Sequence, residues 1–254
     1  MTLAMIKTSE NISFLTIDRP EARNALNLES VKKLCLEFKK ADKDTSTKII
    51  LLSGAGEQAF CSGADLKELL ANTPAKRKDF FLSLKKLFIA MLQSRKPIVA
   101  KVHGYALAGG MGLIGASDIV LASDTSVYGL PEIRVGLGAL TIMPVLALAL
   151  NEKTLAYLTF SGHRFNAESA LRLGLISHVY QKEHLNEEVL SFVRTLANRN
   201  AEAIIAAKKG IHELYRKKTI QQLNKTTALA IGLIQKKSTL KHIEAMLTAK
   251  ESRS

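Results

Sequence analysis

"HGYALAGGMGLIGASD", His103 to Asp118, is the stretch on which the reading of this chain turns. Glycines stand at 104, 109, 110, 112 and 115 among apolar residues, and no carboxylate appears before Asp118. The run from Pro97 to Val102 reads as a buried strand feeding a turn at His103 and Gly104, with a helix starting near Gly109 and Gly110. The first turn of a helix leaves backbone N–H groups without partners, and the dipole there is positive. Glycine at that end lets a ligand come within hydrogen-bond reach of the backbone. Gly110, Gly112 and Gly115, deeper in the helix, each cost helix stability and fit close packing against a neighbouring element. The stretch is either an anion or oxyanion site at Gly109 or a tightly packed helix, and by itself it favours neither.

Two further stretches bear on the choice. "AFCSGADLKELL" follows the apolar run "KIILLSG" and its turn, so Ser62, Gly63 and Ala64 open a second helix, carrying Leu66, Leu69 and Leu70. Two such turns converging on one carbonyl oxygen supply the pair of backbone donors that an enolate or tetrahedral oxyanion requires. "VYGLPEIRVGLG" holds a single carboxylate, Glu132, among apolar residues behind Pro131. Proline keeps its predecessor out of the helical region. A carboxylate in apolar surroundings has a raised pKa suited to proton transfer near neutrality, although a lone glutamate in a turn is more commonly a solvated one.

The chain has 254 residues, 47% apolar and 23% charged, enough for a substantial core. No apolar run is long enough for a bilayer, and the start lacks a basic region followed by a long apolar stretch, so the expectation is a cytoplasmic protein without a membrane partner. The C-terminal "ESRS" matches no receptor-read address. Cys35 and Cys61 have neither metal-ligand spacing nor a disulfide pattern, so reduced core thiols and no metal are expected. The net charge of +13 favours an anionic partner, though the late lysines in "AAKKGIHELYRKKTIQQLNK" and "QKKSTLKHIEAMLTAK" fit mostly a solvated helix face. Zinc-finger spacing and basic stretches interleaved with aromatics are absent, which speaks against nucleic acid.

Strand-like "NISFLTID", "KIILLSG", "KPIVAKVHG" and "DIVLAS" alternate with helical patterns. One pattern places Val31, Leu34, Phe38 and Ala41 inward; another, Phe81, Leu84, Phe88 and Met91 or Leu92. The class is α/β. No GxGxxG or GxxxxGK[ST] motif follows a strand, which argues against dinucleotide and nucleoside-triphosphate sites. From about Asn186 helices dominate.

"RPEARNAL", "AFCSGADLKE", "HGYALAGGMGL", "SDIVLAS", "LPEIRVGLG" and "SGHRFNAESALRLGLISHV" follow one another in an order and spacing that resemble the crotonase family, the enoyl-CoA hydratase/isomerase superfamily. The likeness runs from Asn11 into the C-terminal helices. It implies a crotonase-like spiral of ββα turns over residues 1–190 and a helical C-terminal oligomerisation subdomain over 191–254, building a homotrimer or homohexamer. It further implies an acyl-CoA thioester substrate whose oxygen lies between the N–H groups of Ala64 and Gly109, with Glu132 as acid/base. Ala64, Asp65, Leu66 and Lys67 would then line the CoA moiety, as would Ala22 and Arg23. No cofactor is expected, since coenzyme A arrives as part of the substrate.

One departure from the family pattern stands out. Hydratases of the family carry a second glutamate just after the glycine run; that position is Gly112 here, which suggests a wider or wetter pocket. Ala108 stands where many relatives have a third glycine. The expected activity is hydration of a 2-enoyl-CoA. The alternatives are a Δ3–Δ2 isomerase using Glu132 as its one base, and a non-catalytic protein binding acyl-CoA or RNA. Among the remaining residues, His103 reads as a structural hydrogen-bonder, Cys61 as packing, Asp65 as a helix cap, and Tyr128 as a candidate to reach the acyl pocket.

Overall fold

The computed structural model describes residues 4–251; the "SRS" end of the C-terminal stretch lies outside them. Its strands are β1 (Ala4–Ser9), β2 (Ile12–Ile17), β3 (Ile49–Gly54), β4 (Ala59–Cys61), β5 (Ile98–Val102), β6 (Tyr105–Leu107), β7 (Ile119–Ser123), β8 (Val127–Gly129), β9 (Arg164–Asn166) and β10 (His178–Tyr180). The helices are α1 (Leu28–Lys43), α2 (Leu66–Ala71), α3 (Pro74–Gln93), α4 (Gly109–Ala116), α5 (Met143–Leu146), α6 (Glu152–Ser161), α7 (Ala167–Arg172), α8 (Leu185–Ala197), α9 (Ala201–Tyr215), α10 (Thr219–Ile234) and α11 (Lys237–Glu251). Short 3-10 turns lie at Pro20–Ala22 and Pro131–Val135.

The strands form two sheets, ordered β1-β2-β3-β5-β7-β10 and β4-β6-β8-β9. The pairs β3β4, β5β6 and β7β8 each give one strand to the first sheet and the next to the second. A helix follows β4 and β6, so the chain winds as the expected spiral of ββα turns. Pairing is parallel except for β1 with β2 and β8 with β9. The four long apolar runs are strands of the first sheet, as the sequence suggested. The three-residue strands of the second sheet are too short for periodicity to reveal.

β3 shows why those runs are nearly continuous. Ile50 and Leu52 enter the main core, while Ile49 and Leu51 pack with Val99 and Leu121 against Val189 and Val193 of α8. A strand covered on both faces needs apolar residues at every position. Val31, Leu34, Phe38 and Ala41 of α1 are buried, as are Phe81, Leu84, Phe88, Met91 and Leu92 of α3.

α8 spans residues 185–197, so position 190 falls inside a helix packed on the first sheet. α10 then returns to the core, burying Leu223, Ala230 and Ile234 in contact with α3 and α5. Two of the late basic residues depart from the solvated-face expectation. Lys208 Nζ and Arg216 Nη2 both meet the Asp118 carboxylate, at 2.7 and 2.9 Å, and all three side chains are largely buried. Asp118 Oδ2 also accepts from the backbone N–H of Ile98 at 2.7 Å, which clamps α9 to the start of β5. The apolar neighbours of these cations on α9 were a sign of burial as much as of a wet face.

Candidate active site

Three segments far apart in sequence are stitched together by backbone hydrogen bonds. The Ser62 N–H donates to Arg23 O at 3.1 Å, Leu26 N–H to Gly63 O at 2.7 Å, and Asp65 N–H to Leu26 O at 2.8 Å. The loop carrying Ala22 and Arg23 therefore lies along the loop carrying Ala64. Asn24, buried and in the left-handed region, fixes the first loop by donating to the carbonyls of Ala55 and Ala59. Asp65 caps α2 by accepting from Glu68 N–H, and it pairs with Arg19 at 3.2 Å. The capping role expected for Asp65 is what its geometry shows.

The third segment is the glycine run. Gly63 has a φ of +101°, and a methyl group added there would lie 2.6 Å from the Ala108 Cβ. One added at Gly109 would meet Leu26 at 3.2 Å and the Gly63 Cα at 3.8 Å. The two turns are thus in contact, a closeness that side chains would prevent. Ala108 has φ +50° and ψ −117°, a conformation that costs an alanine about 1–3 kcal/mol. It is held by the Ala108 N–H donating to Gly129 O at 3.0 Å. This explains why glycine suits the position. Neither the Ala64 N–H nor the Gly109 N–H has a hydrogen-bond partner among the described residues.

Both residues line one inner cavity of about 50 Å³, together with Glu132. Glu132 rides on the 3-10 turn Pro131–Val135, and its Oε2 is buried without a hydrogen-bond partner. Desolvation by the surrounding apolar wall raises its pKa from an ordinary 4.5 to about 7. Phe80, Phe81 and Leu84 of α3 and Ala230 of α10 close the far side. The inner cavity adjoins an open cleft of about 770 Å³, whose wall also includes Ala64 and Glu132. Ala22, Arg23, Asp65, Leu66 and Lys67 line that cleft, so every candidate site residue lies on one or both spaces.

Other expectations fare differently. A side chain at Gly112 would meet Phe88 and Ile142 at 2.6 Å each, so the vacated position is filled by apolar neighbours and the pocket is not widened there. Gly110 packs on the Cys61 carbonyl and Gly115 on Val145, the close-packing role expected of them. The Cys61 thiol is fully buried and pushed up to about 12, consistent with packing. Tyr128 lines neither space: it is fully buried, shares a hydrogen bond with Ser126 and stacks on Phe165. His103 keeps the structural role expected of it, its ring hydrogen-bonded to the Gly56 backbone while Nε2 is buried without a partner; burial with the nearby Lys101 charge lowers the ring's pKa.

The sequence reading missed five contributors to the cleft. Tyr105 with Arg164 stacked over its ring, Arg134, and Met246 and Leu247 of α11 all line it. Chain distance from the glycine run hid Arg164, Met246 and Leu247; Tyr105 lies inside that run and Arg134 beside Glu132, but neither residue type nor spacing singled them out.

Comparison with known proteins agrees with this architecture. The family model for enoyl-CoA hydratase/isomerase matches residues 7–253. The (E)-benzylidenesuccinyl-CoA hydratase of Thauera aromatica is 29% identical over 205 residues, covering 80% of each chain. The short-chain-enoyl-CoA hydratase of Clostridium acetobutylicum is 26% identical over 82% of this chain and 80% of that one. The crystal structure of enoyl-CoA hydratase from Bacillus halodurans superposes with a TM-score of 0.86 at 26% identity, covering 96% of this chain and all of that one. With its ββα spiral, its paired helix-opening turns and a family match over nearly its whole length, this chain belongs to the enoyl-CoA hydratase/isomerase family.

Proposed function

We propose that this protein is an enoyl-CoA hydratase, adding water across the double bond of a 2-enoyl-CoA thioester. One observation carries the reading: two unpartnered backbone N–H groups and a buried carboxyl with pKa near 7 share a single apolar cavity. The thioester oxygen lies between the Ala64 and Gly109 N–H groups, which stabilise the negative charge that builds there as the double bond opens. Glu132 takes a proton from water as its oxygen bonds to C3, then delivers that proton to C2. The CoA portion runs along Ala22, Arg23, Asp65, Leu66 and Lys67 in the open cleft, and no further cofactor takes part. Exposed apolar pairs one turn apart, Tyr157 with Phe160 on α6 and Ile211 with Leu214 on α9, support self-association, which we read as a trimer or hexamer; the location we read as cytoplasmic.

A single carboxylate among the described residues of the inner cavity favours one alternative, a Δ3–Δ2 isomerase in which Glu132 moves a proton from C2 to C4. A panel of 2-enoyl- and 3-enoyl-CoA thioesters, scored separately for hydration and double-bond migration, decides between them. Glu132→Gln is expected to lower turnover about 100-fold or more while thioester binding persists; near-wild-type turnover would remove Glu132 from the mechanism. The rate of the unmutated protein should rise with pH through about 7, as Glu132 ionises. Stability runs the other way. Because the folded pKa is raised, the protonated form is favoured by folding, so this contribution is complete below about 4.5 and is lost as pH rises through about 7. Melting temperature should therefore fall less between pH 5 and 8 in Glu132→Gln.

A further inference from the structure

The inner cavity contains a second unpartnered oxygen. Thr141 is on its wall, 3% exposed, and its Oγ1 has no hydrogen-bond partner among the described residues. Buried hydroxyls are nearly always bonded, so an orphan beside a reaction site calls for a ligand. Thr159 and Thr227 also have unpartnered hydroxyls, but neither lines this cavity. Thr141 is held in a tight turn: both Ile142 and Met143 donate their N–H groups to the Ala139 carbonyl at 3.0 Å, and Ala139 has a φ of +50°. Among the described residues, Glu132 and Thr141 contribute the cavity's only polar side chains; the other walls are apolar or glycine.

A water molecule in a protein interior needs two to four polar partners. Here the backbone N–H groups of Ala64 and Gly109 are committed to the thioester oxygen, and Gly112 offers no side chain. Resting on the hydratase reading, we propose that Thr141 positions the water that adds to C3. The water donates one O–H to Glu132 Oε2 and the other to Thr141 Oγ1, which turns its oxygen lone pair toward C3. As the C3–O bond forms, the C2–C3 π pair moves toward the thioester, the first proton passes to Glu132, and Glu132 returns it to C2. Thr141 exchanges no proton. It is a positioning residue for the water, doing part of what a second carboxylate at Gly112 would do.

The test compares the unmutated protein with Thr141→Val and Thr141→Ser, using the best 2-enoyl-CoA thioester from a panel of four to eight carbons and the saturated butyryl-CoA as an inert binding probe. Valine keeps the shape of threonine and removes the orphan hydroxyl, so folding should hold or improve. The expected result is a fall in kcat of about tenfold for Thr141→Val, the size of one hydrogen bond. KM and the butyryl-CoA Kd should be unchanged, and Thr141→Ser should restore the rate. If Thr141→Val does not fold, Thr141→Ala is read in the same way. A kcat for the valine variant within twofold of the unmutated protein overturns the role of Thr141 and leaves hydration standing. An unmutated protein that binds butyryl-CoA but hydrates none of the panel overturns the hydratase reading, and this inference with it.

Discussion

The turn into α2 and the turn into α4 each bring an unpartnered amide to the same cavity, and they are held there by different forces. The first is a polar assembly. Asp65 caps α2 and pairs with Arg19, Asn24 ties down the neighbouring loop, and Glu68 accepts from Leu28 N–H at 3.0 Å. The second has no capping side chain, and its helix is buried along almost its whole length. Gly110, Gly112 and Gly115 let Cys61, Phe88, Ile142 and Val145 come to the α4 backbone. Hydrogen bonds yield by degrees when one is removed, whereas a closely packed backbone has little room to yield when an atom is added.

That contrast breaks most severely at Gly112. Gly112→Glu drives a side chain into Phe88 and Ile142 and leaves its charge unpaired in the core, so it should cost more than about 4 kcal/mol and prevent folding. Soluble expression and urea unfolding check this; a stable variant would mean that α4 can slide and that its site is not fixed by packing. Asp65→Ala probes the other turn. Losing the cap should cost about 1 kcal/mol, with activity reduced by a modest factor because the three backbone bonds to the first loop remain. A collapse of stability equal to that of Gly112→Glu would erase the distinction between the turns. The smallest effect is expected at Ala108. Ala108→Gly relieves the strained backbone but adds freedom to the unfolded chain, so stability should shift by less than about 1 kcal/mol with activity kept.

The same contrast governs what the sequence disclosed. Helix-opening turns, the four long strands and the inward faces of α1 and α3 were legible because each follows from local spacing. Glu132 was legible because one carboxylate among apolar residues invites a pKa argument, and the described burial bears that out. The occupancy at Gly112 was not legible. An absent side chain says nothing about which distant residue, Phe88 from α3 or Ile142 from the turn before α5, moves into the room it leaves. The Asp118 clamp was hidden for a related reason: a lysine at helical spacing looks the same whether its partner is water or a carboxylate 90 residues upstream.

α11 contributes Met246, Leu247 and Ala249 to the wall of the open cleft. During synthesis both helix-opening turns and the Glu132 turn emerge more than 100 residues before that wall. A nascent chain halted at residue 236 thus carries every other group of the cleft while one side stands open to water. The cleft is walled by a segment made more than 100 residues after the turns it encloses.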